Sequence, residues 1–490
     1  MTRKSWLIGL VAAVSATACT QRTGAPASLA QYNLIVINID ALRADHLGCY
    51  GYARHTSPFI DTLAAHGVVF EDALSNSSYT RESVATLFSG RLPSQSGSVG
   101  WEAKPAADGP RLAQLFKAAG YATGFLSNTT MLGDPAFTTG FDEVEQLADA
   151  WGISGTGPKL SKRAVEFVRR HRAQQFMLYL HYLDPHGPYD PPADLYRQFT
   201  ASPQPHPLDV YRDVRPHCVE LVREGFGPGD ARFEDMVVRY DAEIADTDRS
   251  IAMLFAGLDE VGVRDRTLVV LSADHGEEFL DHGFVEHAWT LYQESLHVPL
   301  VLWAPRVLAA KRVSGRVSVV DIAPTVLGLM HIPHTQPGFD GSPLVESDGG
   351  VVQYAVPAKP YVGELLIAER NVLRAVISGR WKYVAAQRWL PPAERPAAVA
   401  QHERLAGREP APAVDLWGPV VHEELYDLQV DPHERVDLAS TTRQPLNELR
   451  SLLATYETQA KQHASGPARA RPQALSPADA ERLKSLGYLQ

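Results

Sequence analysis

Cysteine is scarce in this chain. Three among 490 residues, Cys19, Cys49 and Cys218, exclude a disulfide-stapled scaffold and a four-thiolate zinc site, and allow one bridge at most. Positive charge is in deficit too: 46 Lys and Arg against 57 Asp and Glu leave a net charge of −11. That balance disfavours a protein that grips nucleic acid or anionic lipid through overall charge. There is no internal repeat and no low-complexity tract, and nothing beyond the N-terminus is apolar enough to span a bilayer. What is present is ordinary globular material. The chain is 45% hydrophobic, with 36 glycines and 35 prolines, enough to bury a large core between many turns.

The N-terminus reads as an export signal. Arg3 and Lys4 precede an apolar run from Trp6 to Val14, and the small residues Ser15, Ala16, Thr17 and Ala18 lead to Cys19. A basic start, a short apolar core and a small-residue exit describe a cleaved secretory segment rather than a permanent span. Ala16-Thr17-Ala18-Cys19 resembles a bacterial lipobox, although Leu is commoner three residues before the Cys. The expectation is a lipoprotein anchored through Cys19, exported to the periplasmic or cell-surface side of a membrane, with residues 20–31 as a polar tether. Each buried acyl CH₂ would contribute about 0.8 kcal/mol to that anchorage. An ordinary cleaved signal with an incidental Cys19 is the alternative.

Further on, the β-branched run NLIVINI (Asn33 to Ile39) has the signature of a buried parallel strand. Helical spacing over 59–65, 111–119, 159–171 and 235–258 alternates with strand-like runs at 68–70, 121–126, 176–182, 267–272 and 299–303. Such alternation predicts an α/β fold with a mainly parallel central sheet flanked by helices. After about residue 345 the pattern changes to hairpin strands (373–378, 381–385) and a helix over 446–461. The expected organisation is a signal at 1–19, a linker at 20–31, a catalytic domain at 32–345 and a smaller C-terminal α+β subdomain at 346–490. Residues 390–415 read as an exposed loop. The acidic run Asp241, Glu243, Asp246 and Asp248 reads as a solvated helix face.

In sheets of this kind ligands collect at the carboxyl ends of strands. Asp40 follows NLIVINI, Asp274-His275-Gly276 follows TLVVLSA, and His181, Asp184 and His186 follow FMLYL. Each alone is as much at home in a turn or cap. Together they point to a site for a divalent ion, with Ca, Mg, Mn and Zn all compatible with such ligands. Thr80 lies before a short helical pattern that Gly90 closes. A hydroxyl there is ordinarily an N-cap, but a helix start also favours a tetrahedral anion.

The stretches NLIVINIDALRADHLGCYGYARHTSPFIDTLAAHGVVFEDA, TRESVATLFSGRLPSQSG, HYLDPHGPYDPP, SADHGEEFLDHGFVEH and LYQESLHVPLVLW resemble the sulfatase family of the alkaline phosphatase superfamily. ELYDLQVDPHERVDLA and RLKSLGYL resemble the family's terminal subdomain. The resemblance implies metal ligation by Asp40, Asp274 and His275, with Thr80 beside the ion in the nucleophile position. It gives His186 and His287 contacts with the transferred group or leaving oxygen, and His181 a weaker place in the same loop. Arg81, by its backbone, and Asn128 would bind substrate oxygens.

The chain also departs from the family. Cys or Ser, matured to formylglycine, is usual at position 80, with Pro two and Arg four residues later; here stand Thr80, Glu82 and Val84. Formylglycine is therefore not expected. Ala41 replaces a second Asp, Leu126-Ser127-Asn128 stands where Lys-x-His is usual, and Trp289 stands where Lys or His is common. The resulting expectation is a metal-dependent ester hydrolase in which Thr80 attacks a phosphate or phosphonate ester. The rivals are a sulfatase without formylglycine, a phospho-head-group transferase, and an inactive ligand-binding lipoprotein. A sulfate- or phosphate-ester substrate and a membrane tether are implied, without nucleic acid or an obligatory protein partner.

Overall fold

The computed structural model describes residues 28–464 apart from 101–102, 106–108, 110, 149–154, 202–213, 215–216, 334–337, 349–350, 358, 368–370 and 388–416. The signal segment, Cys19, the loop at 390–415 and the RLKSLGYL stretch lie outside the described residues. The principal elements in chain order are β1 (Asn33–Ile39), α1 (Pro58–Ala65), β2 (Val68–Leu74), α2 (Thr80–Ser89), α3 (Leu112–Ala118), β3 (Ala122–Ser127) and β4 (Glu143–Gln146). They continue with α4 (Gly157–His171), β5 (Phe176–Tyr182), α5 (Ala231–Val261), β6 (Thr267–Ala273), β7 (Leu300–Trp303) and β8 (Lys311–Ser318). Last come β9 (Tyr361–Ile367), β10 (Asn371–Ser378), β11 (Trp381–Ala386), β12 (His422–Asp427) and α6 (Arg443–Ala464).

The eight strands β1 to β8 form one sheet in the order β8-β2-β7-β6-β1-β5-β3-β4. All pairs are parallel except those of β7, which runs against both β2 and β6. The three central strands β1, β5 and β6 are buried along their whole length, which is why their sequences are unbroken apolar runs rather than alternating ones. Register then does the work of placing chemistry. Ile39 pairs with both Ala273 and Tyr182, so β1, β5 and β6 end level. Asp40, Asp274 and the loop after Tyr182 consequently leave the sheet at one carboxyl edge.

The C-terminal strands β9 to β12 form an antiparallel sheet in sequence order, and α6 packs Leu446, Leu449 and Leu453 against its Val376, Tyr383 and Leu425. The sequence marked the central hairpin and the helix but missed β9 and β12. β9 is not peripheral. Its Glu364 N–H donates to Asn76 O (2.8 Å), the Asn76 amide donates to Val362 O (2.8 Å), and the Tyr361 hydroxyl donates to Ser75 O.

One expectation is overturned. Asp241, Glu243, Asp246 and Asp248 on α5 are buried, not solvated. The carboxylates satisfy groups that neighbouring segments bring to this helix. Asp241 meets His46 (2.7 Å), the Tyr52 hydroxyl (2.7 Å) and Arg54 (2.5 Å). Asp248 accepts the Phe59 and Ile60 N–H groups at 3.0 and 2.7 Å, satisfying the first turn of α1. Glu243 accepts Asp190 N–H at 2.7 Å, and Asp246 pairs with Arg249 at 2.6 Å.

Candidate active site

Asp40 and Asp274 sit immediately past β1 and β6, almost wholly excluded from solvent. One oxygen of each is fixed by protein. Asp40 Oδ2 lies 3.0 Å from His181 Nε2, and Asp274 Oδ1 accepts the Ala41 and His275 N–H groups at 3.2 and 3.0 Å. The other oxygens, Asp40 Oδ1 and Asp274 Oδ2, are buried without a hydrogen-bond partner. Buried carboxylate oxygens are costly to leave in that condition. His275 Nε2 stands 3.6 Å from the first and 3.7 Å from the second. Its Nδ1 is 2.9 Å from Gly276 O, an acceptor only, so Nδ1 carries the proton and Nε2 offers a lone pair.

The electrostatics agree. Burial alone would raise the Asp40 carboxyl, but His186 and the His181 hydrogen bond offset it and hold it below its ordinary value. Burial, reinforced by the Asp40 charge, pushes Asp274 well above its own, and burial lowers His275. Two facing carboxyls, one ready to hold a proton, together with a neutral imidazole form a donor set that a divalent cation fits. Asp40, His181 and Asp274 also offer ligand atoms within 4.8 Å of one another. His181 is nevertheless better read as the group that orients Asp40. Its Nδ1 lies 3.2 Å from the Asn38 amide nitrogen, a donor, so its Nε2–H is committed to Asp40.

Thr80 is not an N-cap. Tyr79 holds that position and Thr80 is the first residue of α2, with its Oγ1 3.1 Å from His275 Nε2. Helix geometry leaves the first N–H groups of α2 without intrahelical partners, and Gly90 ends the helix in the left-handed conformation (φ +62°). Ser83, one turn on, donates to Asp274 O at 2.7 Å and so ties the helix directly to the end of β6. Glu82 accepts the Ser77 hydroxyl at 2.7 Å and the N–H groups of Gly100 and Leu366 at 3.3 Å. These two anchors of the Thr80 segment were missed from sequence, since nothing in TRES marks which strand each side chain meets.

His186 and His287 come together from separate loops with ring centroids 4.9 Å apart, and the His287 ring lies 4.2 Å from that of His275, tilted by 33°. His287 Nδ1 meets the buried Glu277 carboxylate at 2.9 Å. Gly276 lets this segment pass close against Glu294, because a Cβ there would lie 2.0 Å from Glu294 O.

Two proposed substrate contacts do not reach this cluster by their side chains. The Arg81 guanidinium donates to Ala103 O (2.9 Å) and Met131 O (2.7 Å). Asn128 donates to Thr156 Oγ1 (2.8 Å) and accepts Leu183 N–H (2.7 Å), pinning the end of β3 to the loop after β5. Both side chains are spent on internal carbonyl, hydroxyl and N–H groups. The positions singled out for metal binding and for the nucleophile converge; these two polar side chains serve the scaffold. Trp289 is buried and stacks on Phe284 at 5.1 Å, so an aromatic ring fills that position.

A family model described as Sulfatase matches residues 32–332. The chain belongs to the sulfatase family. It is a hydrolase of ester bonds. Among curated relatives, arylsulfatase K of Xenopus laevis is 23% identical over 470 residues, spanning 83% of this chain and 79% of its own. Arylsulfatase K of Bos taurus is 25% identical over 389 residues, with 67% and 69% covered. The fold is shared with BT4656, solved with its substrate D-glucosamine-2-N,6-O-disulfate, at a TM-score of 0.66 and 18% identity over 88% of this chain and 98% of that one. It is shared equally with the phosphonate monoester hydrolase of Agrobacterium radiobacter, at a TM-score of 0.63 and 20% identity over 88% and 96%. This sulfatase-family chain thus shares its overall fold with both a sulfatase and a phosphonate ester hydrolase.

Proposed function

We propose that this sulfatase-family hydrolase cleaves a phosphate or phosphonate ester, with Thr80 as the nucleophile. The observation that carries the reading is the convergence of the Thr80 hydroxyl on His275 Nε2 (3.1 Å) beside the unpartnered oxygens of Asp40 and Asp274. Asp40, Asp274 and His275 would hold one divalent ion, which when bound lowers the pKa of a neighbouring hydroxyl and offsets negative charge on the ester. The Thr80 hydroxyl gives its proton up to solvent, Oγ1 bonds to phosphorus as the bond to the leaving oxygen breaks, and His186 or His287 gives that oxygen its proton. The first-turn N–H groups of α2 face the growing charge of an anion at the helix start. Water then cleaves the phospho-threonine ester and restores the hydroxyl. A formylglycine hydrate can expel sulfate with its second hydroxyl; threonine has no second hydroxyl, which favours phosphorus over sulfur.

The test is a panel of chromogenic phosphate diester, phosphonate, phosphate monoester and sulfate substrates, with and without added metal. Thr80→Ala is expected to abolish turnover, and Thr80→Ser to retain part of it. Slow substrates are expected to leave a phosphoryl adduct on the peptide containing Thr80. Sulfate turnover that survives Thr80→Ala would overturn the covalent reading. It would support direct hydrolysis of sulfate esters, the reading favoured by the likeness to arylsulfatase K. For location, we propose anchorage through a lipidated Cys19, in which case Cys19→Ala releases the protein from the membrane fraction.

A further inference from the structure

We infer that Tyr240 is a positioning residue of the candidate metal centre: its hydroxyl clamps Ala41 in the left-handed turn that seats Asp40 and aims the Ala41 N–H at Asp274. The role rests on the metal-dependent hydrolase reading above. Ala41 follows Asp40 directly, is fully buried and has φ +55°, a conformation that non-glycine residues rarely take. Asn and Asp can hold such a turn with a local side-chain hydrogen bond, and alanine has no group to do so. The support comes instead from α5.

Tyr240 on α5 is fully buried as well. Its hydroxyl donates to Ala41 O at 2.7 Å and accepts the Arg43 N–H at 2.9 Å, closing the turn from both ends. The ring is wedged among aromatic neighbours, with the centroids of Phe279, His46 and Tyr189 at 5.0, 5.1 and 5.7 Å. The turn has two other fixed points. Asp40 N–H donates to Tyr182 O at 2.9 Å, and Ala41 N–H donates to Asp274 Oδ1 at 3.2 Å. Asp40 is therefore held between the sheet on one side and the Ala41 turn on the other. The same turn fixes the bonded oxygen of Asp274, whose Oδ2 is the unpartnered one. The placement of both acids passes through one strained backbone unit.

Removing the hydroxyl leaves Ala41 O and the Arg43 N–H unpaired in the interior. The left-handed penalty is then no longer offset, and Ala41 is expected to relax and draw its N–H away from Asp274. Glycine takes positive φ without that penalty, so the loss is repairable at position 41.

Tyr240→Phe, Ala41→Gly, the Tyr240→Phe/Ala41→Gly double variant and Tyr50→Phe would be compared as whole proteins. The readouts are affinity for Mn²⁺, Ca²⁺, Mg²⁺ and Zn²⁺, and stability in chelator. Tyr50 is the control, because its hydroxyl likewise donates to a carbonyl and accepts an N–H, those of Phe70 on β2 and Leu300 on β7, at 2.9 Å each. Tyr240→Phe is expected to bind the ion about tenfold more weakly, the ratio proper to one left-handed non-glycine residue. The double variant is expected to recover most of that affinity, and Ala41→Gly alone to bind as wild type does. Tyr50→Phe is expected to lose stability and keep its affinity. Unchanged affinity in Tyr240→Phe, an equal loss in Tyr50→Phe, or a double variant no better than Tyr240→Phe would overturn the inference. Amide hydrogen exchange over residues 40–44, measured in chelator, tests the clamp without metal. Tyr240→Phe is expected to exchange faster there than wild type, and an unchanged rate would refute the clamp. If wild type binds none of the four ions, the metal-dependent reading fails, while the exchange arm still decides whether Tyr240 holds the Ala41 turn.

Discussion

Replacing Asp274 with Asn separates two consequences of the acidic pair that ordinarily move together. The side-chain oxygen of Asn can keep accepting the Ala41 and His275 N–H groups that now bond Asp274 Oδ1. What disappears is a carboxylate oxygen that has no partner and whose neighbour Asp40 offers another. Ligand atoms of the two acids lie within 4.8 Å, where two full charges repel by about 3.5 kcal/mol at an effective dielectric near 20. The protein relieves part of that by holding a proton on Asp274, whose pKa is raised by burial and by Asp40.

The sign follows directly. A carboxyl raised in the folded state contributes stability that is full below its ordinary value of 3.8 and is lost as pH rises through the raised folded value. At neutral pH in chelator, Asp274→Asn is therefore expected to match or exceed wild-type stability, by up to about 3 kcal/mol. With metal the order reverses. Wild type gains about 2.7 kcal/mol when the ion is present at a hundredfold over its Kd, and the variant gains little. Turnover is expected to fall by roughly three orders of magnitude, because the loss of an ion costs several kcal/mol of transition-state stabilisation. Thermal unfolding with and without chelator, alongside metal analysis and turnover, reads all three. A variant less stable than wild type in chelator, or one that keeps the metal-dependent gain, would refute the reasoning.

Two further outcomes follow from the buried carboxyls. Glu82 is pushed up to about 8, chiefly by burial, so the folded protein is expected to lose stability between pH 4.5 and 8 at up to about 1.4 kcal/mol per pH unit from this group. Glu82→Gln should flatten that slope in denaturant titrations across the range; an unchanged slope would exclude Glu82 as its source. Asp241→Asn weakens the buried contacts with His46, Tyr52 and Arg54 and is expected to cost about 2–4 kcal/mol in chemical denaturation. A change within about 0.5 kcal/mol is the result proper to a solvated face.

Much of the fold was legible because its central strands are buried on both faces. NLIVINI and TLVVLSA announce themselves as continuous apolar runs, and their ends place Asp40 and Asp274 at the carboxyl edge of a parallel sheet. The helix start near Thr80 was legible, although Thr80 read as its cap and is its first residue, and Gly90 was legible as the residue closing it. Local pattern also fails in instructive places. On α5 the acidic residues look like a solvated stripe, yet distant groups such as His46, Arg54 and the first N–H groups of α1 come to meet them. β9 went unmarked although it pairs along its length with its neighbour β10; what ties it to the site are bonds to Asn76 and the Glu82 side chain, hundreds of residues away.

The sequence by itself determined the α/β architecture, the family and the residue types at the reactive edge, because strand periodicity and motif spacing are local properties. Only the tertiary structure decided which atoms face one another. It left one oxygen of each acid unpartnered beside His275, turned His181 toward Asp40, consumed Arg81 and Asn128 in the scaffold, and set Glu277 behind His287. Hydrogen-bond partnership and burial depend on the positions of residues far apart in the chain, and sheet register, not sequence distance, fixes those positions.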